Sequence, residues 1–233
     1  MEITVVGTGR AALAPERATL HLTATFEEAG QAEALRRVSA LVRDVQSDLA
    51  GLSEGDRAPV TRTVVWPIGT RSWRPWSEDG SVQPLRHEAS CQVEAEFTGA
   101  SGFAALAGFA DRWGGVAGIA LGTVTWSLTE EARVRVEAGV LAQALEQARA
   151  RASVLAQAAG CGAVQCVEVA DPGLLSRRVD VSGYAAEGSY GAGLMHARLA
   201  ASDGGGGGGI EIMPQDVEIT AAVHARFAAS DPT

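Results

Sequence analysis

The stretch ITVVGTGRAALAPERATLHLTATF, residues 3–26, decides the fold class. Its first half carries Gly7, Gly9 and Ala12 after an apolar run, the G-x-G-x-x-A spacing of a phosphate-cradling turn. Such a turn works only when a helix follows, because the pyrophosphate binds free N–H groups at the helix start. Here Pro15 intervenes, and from Arg17 to Phe26 the residues alternate. Ala18, Leu20, Leu22, Ala24 and Phe26 share one face of a strand, and Arg17, Thr19, His21, Thr23 and Thr25 share the other. A strand follows the glycines, so the dinucleotide reading fails in its context. Gly7 and Gly9 are expected inside the first strand of a hairpin, easing a bulge or a close backbone approach.

The same period of two recurs over Ala89–Phe97, Thr123–Leu128 and Val217–Phe227. Alternation of this kind belongs to sheets with one buried and one solvated face, typically antiparallel. Two segments have helical period instead. Leu35, Val38, Leu41, Val42, Val45, Leu49 and Leu52 place one apolar stripe on a helix from Gln31 to Leu52. Ala138, Leu141, Leu145, Ala148, Ala152, Leu155 and Ala159 suggest the stripe of a longer helix. It begins near Thr129, has Glu130 and Glu131 in its first turn and stops at Gly160, in keeping with the macrodipole and a left-handed cap. A shorter helix spans about 102–113. The expected order is strand, strand, helix, strand, strand, helix, strand, helix, strand, strand. It predicts an α+β fold, with largely antiparallel sheets, helices on one face and one long helix in the C-terminal half.

Composition fits a soluble globular chain. Of the 233 residues, 46% are hydrophobic and 20% charged. The formal net charge of -9 argues against general binding to nucleic acid or anionic membrane, which needs a basic face. All 19 basic residues are Arg, and the chain has neither Lys nor Asn. No apolar run reaches the length of a membrane span, and no basic-then-apolar leader opens the sequence, so a cytoplasmic location is expected. Cys91, Cys161 and Cys166 are too few and too irregular for a disulfide framework.

Chemistry-bearing constellations are missing. His87 and Cys91 are four residues apart on a strand, about 13 Å at 3.3 Å per residue, too far to share one zinc. There is no G-x-S-x-G elbow. His21 and His224 fall on polar strand faces and read as solvated, His196 lies in a Gly-rich loop, and Glu94 and Glu96 sit on an exposed strand face. The sequence predicts no catalytic residue, no cofactor and no metal.

Two irregular stretches remain. WPIGTRSWRPWSEDGSVQP, residues 66–84, holds three Trp and three Pro and reads as a loop or hairpin tip. Residues 171–214 form a Gly- and Ala-rich loop that includes six consecutive glycines at 204–209.

With the chain laid out in this way, ITVVGTGRAALAPERATLHL resembles the opening of the SIMPL-domain (DUF541) proteins: a V-x-G-x-G strand, then Pro, then an alternating strand. AEALRRVSALVRDV is similar to the first helix of that family. EARVRVEAGVLAQALEQARARASVLAQAAGCGAVQCVEV is similar to its long helix, closing Gly and next strand. IEIMPQDVEITAAVHARF is similar to its final strand. The resemblance spans Ile3 to Phe227, with Pro214, Gln215 and Asp216 where relatives commonly have Pro-Gly-Glu. It implies one domain over 1–228 made of two α+β lobes with a boundary near 60–100, followed by a tail at 229–233. It also implies self-association in some members. Bacterial relatives are linked to exported fractions and oxidative-stress tolerance, an animal relative to kinase signalling, and no catalytic residues are established.

The functional expectation is a non-enzymatic interaction or scaffold protein that forms a homo-oligomer. Trp66, Arg71, Trp73, Arg74 and Trp76 are the candidate contact surface, since Trp and Arg are enriched in interface hot spots. The alternative is a small-molecule-binding protein, or an enzyme, that uses a cleft between the lobes.

Overall fold

The computed structural model describes residues 1–55, 57–78, 81–175, 196–198 and 212–231. Most of the 171–214 stretch, with its glycine run, lies outside the described residues, as does the end of the expected tail. The described elements are β1 (Glu2–Leu13), β2 (Arg17–Glu28), α1 (Gln31–Leu52), β3 (Val60–Val65), β4 (Gly69–Trp73), β5 (Arg86–Thr98), α2 (Gly99–Trp113), β6 (Ile119–Ser127), α3 (Glu130–Ala158), β7 (Val164–Ala170), β8 (His196–Arg198) and β9 (Val217–Ala229). The fold is α+β with antiparallel sheets, as the alternation requires. Three strands, rather than two, separate α1 from α2, because β4 forms inside the Trp-rich stretch. β8 is an addition within the 171–214 region.

The chain divides into two compact units. The first takes Met1–Ala14, the middle of the chain from Leu128, and the C-terminal segment from Asp216. Its sheet has the order β1-β9-β7, all antiparallel. The hairpin expected of β1 and β2 does not form. β1 runs instead along the whole of β9, from Glu2 opposite Ala228 to Leu13 opposite Val217, while β2 joins the other sheet. That ladder satisfies one side of the twelve-residue strand β1.

One helix, α3, packs on this sheet, mainly over β1 and β9. The residues it buries are Ala132, Val140, Ala144, Ala148, Ala152 and Ala156. This corrects the expected stripe: Ala148 and Ala152 belong to it, Leu145 is half-buried, and Ala138, Leu141, Leu155 and Ala159 are exposed. From Val140 onward the buried positions form one i+4 ridge of small side chains. Ile3, Val5, Val223, Ala225 and Phe227 fill the core below it. The helix ends as its sequence indicates. Thr129 Oγ1 accepts from the Ala132 N–H at 3.3 Å. At the other end Gly160, at φ +73, lets the Gly160 and Cys161 N–H groups reach the carbonyls of Gln157 (3.0 Å) and Ala156 (2.9 Å), a Schellman closure.

The second unit is built on Pro15–Ser127 with the short strand β8. Its sheet has the order β3-β5-β2-β6-β8, and β4 also pairs with β5. The central ladder sets Arg17 opposite Thr98 and Glu28 opposite His87. The inward face of β2 and β5 (Ala18, Leu20, Leu22, Ala24, Ala89, Cys91, Val93, Ala95 and Phe97) is buried under α1 and α2. α1 contributes Val38, Leu41, Val42, Val45 and Leu49, as its period predicts, together with Ala34 in place of Leu35. Asp48 ties the helices together, accepting from Trp113 Nε1 at 2.8 Å and pairing with Arg112.

Candidate interaction surface

The Trp-rich stretch begins at the edge of the six-stranded sheet. β3 pairs with the C-terminal half of β5 and β4 with its N-terminal half, so a break between them falls at residues 66–68. The Trp66 N–H still reaches the Gln92 carbonyl at 3.0 Å. Pro67 has no N–H to continue the ladder, and pairing resumes at Gly69 opposite Ser90.

β4 and the start of β5 make a stem with a tip at 74–85. The stem is held by side chains as well as backbone. Arg71, opposite Glu88 in the register, grips its carboxylate with two bonds, Nε to Oε1 at 2.8 Å and a terminal nitrogen to Oε2 at 2.9 Å. The hydrogen bond that Arg71 donates to Glu88, then the charge of that carboxylate, raises the Arg71 pKa above its ordinary value. The same guanidinium lies 4.9 Å from the centre of the Trp73 ring. Ser72 Oγ and His87 Nδ1 are 2.7 Å apart, and Arg74 donates to the Gln83 carbonyl at 2.9 Å across the tip. Arg71 and Arg74 thus act within the hairpin, fixing its shape.

The tryptophans differ. Trp73 is half-buried beside Arg71, Trp66 is exposed at the bend, and Trp76 is 81% exposed on the tip. Val82, at 82%, and Leu85 are further exposed apolar side chains of the same tip. Sequence pattern does not single out these two, because single apolar residues in a polar loop carry no period. The result is a stem held by cross-strand bonds whose tip presents apolar side chains to solvent.

The polar face of the six-stranded sheet carries the acids and His21 singled out in the sequence. His21 is engaged rather than merely solvated: Nδ1 lies 3.4 Å from Glu94 Oε1 and Nε2 lies 3.3 Å from Thr125 Oγ1. Arg17 pairs with Glu96 at 3.6 Å and Arg62 with Glu94 at 3.9 Å. These are cross-strand pairs of the sort that stabilise a solvated sheet face. Burial pushes the Cys91 thiol up, and Cys91 sits among the apolar residues of the opposite face. A cavity of about 540 Å³ in this unit is lined by Ser53, Arg57, Thr61, Thr98 and Ser101 among others. Among the described residues, no three His, Cys, Asp or Glu side chains gather as a metal site, and no helix is long and apolar enough to cross a membrane.

The glycines of the opening stretch lie inside β1, under α3. A Cβ on Gly7 would overlap the Ala144 carbonyl and come within 2.8 Å of Ala148 Cβ. A Cβ on Gly9 would overlap the Val140 carbonyl and lie 3.1 Å from Ala144 N. The expected close backbone approach is therefore the contact of β1 with the alanine ridge.

One unit with a three-stranded antiparallel sheet packed on a long helix and another with a second antiparallel sheet and two helices define an α+β protein whose V-x-G-x-G strand is a helix-packing device. The family model of the SIMPL proteins, described as a protein of unknown function (DUF541), matches residues 3–227, and the chain belongs to that family. No curated protein matches the chain.

Proposed function

We propose that the protein is a non-enzymatic interaction protein that self-associates, and that the β4–β5 hairpin is its contact surface. The observation that carries this reading is the exposed tip of Trp76, Val82 and Leu85 on a stem held by Arg71, Glu88, Ser72 and His87. Burying about 200 Å² of one Trp at about 25 cal/mol per Å² is worth about 5 kcal/mol before association entropy is subtracted. Groups already held in shape lose little further freedom on docking, so more of that gain remains. A role in stress tolerance, which the family resemblance implies, and a cytoplasmic location belong to the same proposal. The free thiols Cys91, Cys161 and Cys166 suit a reducing compartment.

The test is light scattering on the purified chain and on a Trp73→Ser/Trp76→Ser variant. The proposal expects an oligomer that shifts toward monomer in the variant, with an unchanged circular dichroism spectrum. An oligomer of unchanged mass would remove the hairpin from the interface.

A further inference from the structure

β1 is an outer strand of the β1-β9-β7 sheet, with β9 its one strand partner among the described residues. Met1 exchanges both backbone hydrogen bonds with Ala229, its nitrogen donating at 3.2 Å and its carbonyl accepting at 2.8 Å. The ladder keeps one register from there to Leu13. Odd-numbered residues of β1 therefore turn their backbone groups toward β9, and even-numbered residues turn theirs away. Thr8 and Arg10 are even-numbered, exposed and well inside the strand. Outward backbone groups in such a row are the template on which a strand of another chain is added.

The acceptors at these two positions come from α3. The Thr8 N–H donates to Gln147 Oε1 at 2.5 Å, and the Arg10 N–H donates to Gln143 Oε1 at 2.9 Å. The Thr8 hydroxyl adds a bond to the same Gln147 oxygen at 3.1 Å. Four residues of helix rise by about 6 Å, and two residues of strand by about 7 Å. Consecutive turns of α3 thus meet consecutive outward N–H groups of β1. The match lasts for two rungs. One turn before Gln143 stands Gly139, which has no side chain, and one turn after Gln147 stands Arg151, which has only donors. The helix comes this close because a Cβ is missing at Gly7 and Gly9, where it would overlap the carbonyls of Ala144 and Val140.

We infer that Gln143 and Gln147 are an edge guard: they exclude strand addition at β1, so this side of the sheet takes no part in assembly of the chain. Their amide oxygens hold the positions that the carbonyls of an added strand would have to take, on a neighbour about 4.8 Å away. An incoming strand must displace both amides, or pair only along the stretch before Thr8. The guard shares no residue with the β4–β5 hairpin and does not depend on it.

Amide hydrogen exchange of the full chain, followed by NMR, is the first half of the test. Gln147→Ala is expected to speed exchange at Thr8 by about tenfold, and Gln143→Ala to do the same at Arg10. Gly7 and Gly9, whose N–H groups face β9, are expected to keep their protection in both variants. Gln147→Glu and Gln143→Glu retain an acceptor oxygen and are expected to exchange as the parent does. Sedimentation velocity is the second half. Gln143→Ala/Gln147→Ala is expected to form species heavier than those of the parent at equal concentration, with an unchanged circular dichroism spectrum. Gln143→Glu/Gln147→Glu is expected to sediment as the parent. Adding Thr8→Pro to the double alanine variant removes an outward N–H and is expected to restore the parent distribution. Equal exchange at Thr8 and Arg10 in the parent and the double alanine variant would mean that the glutamines do not hold the edge. Faster exchange without a heavier species, or a heavier species that persists with Thr8→Pro, would mean that they guard nothing. Each of these results overturns the inference, and none bears on the hairpin, which is read in the chain with Trp73 and Trp76 alone replaced.

Discussion

Gly7 and Gly9 matter for what they lack rather than for how they bend. Both sit in extended strand backbone, and in both cases the space of a Cβ is occupied by the backbone of α3. Gly139, on the exposed side of α3, has nothing within 4 Å of the same position. The two kinds of glycine should respond to Ala with opposite signs. Gly7→Ala forces the helix off the sheet and is expected to destabilise by about 3 kcal/mol, the upper end for overpacking. Gly139→Ala removes a poor helix former and is expected to stabilise by about 1 kcal/mol. Urea unfolding of the two variants measures both. A Gly7→Ala chain as stable as the parent would mean that α3 does not rest on β1 as described. The thiol of Cys91 gives a second residue-scale check: buried and with its pKa pushed up, it should resist alkylation at neutral pH until the chain unfolds.

At the scale of elements, helix and strand identities were legible wherever one face alone is buried. α1 was expected from Gln31 to Leu52 and occupies those residues, because its apolar stripe meets a sheet of ordinary side chains. β2, β5 and β9 each extend only slightly beyond their alternating runs. The stripe of α3 was misread for a physical reason. Large apolar residues usually mark the buried side, but a helix lying on glycines must turn its smallest residues inward. That requirement comes from a strand more than a hundred residues away. The pairing of β1 with β9 was hidden for the same reason, since it depends on a partner distant in sequence. In the hairpin, Trp66, Trp73 and Trp76 were visible from composition, whereas the bonds that engage Arg71 and Arg74 depend on the β4–β5 register. The start of α3 supplies a pH test. The hydrogen bond from Arg133 holds the Glu130 carboxyl below its ordinary pKa. A depressed folded-state value means stability present above the ordinary carboxylate pKa and lost as pH falls through the folded one. Glu130→Gln is therefore expected to lower the melting temperature at neutral pH, with the difference closing in acid. A difference independent of pH would place the effect elsewhere.

For the molecule as a whole, the first unit draws its strands from both ends of the chain and from its middle, so β9, the central strand of its sheet, is made last in the sequence. The proposed function attaches to a surface that the second unit leaves to solvent, a hairpin tip with exposed Trp76 and Val82. That tip is what the proposal of self-association rests on. Sedimentation velocity of the unmodified chain, across concentrations up to tens of micromolar, tests that claim most directly. The account predicts a species heavier than the monomer whose share rises with concentration. A single monomeric boundary throughout that range would contradict it.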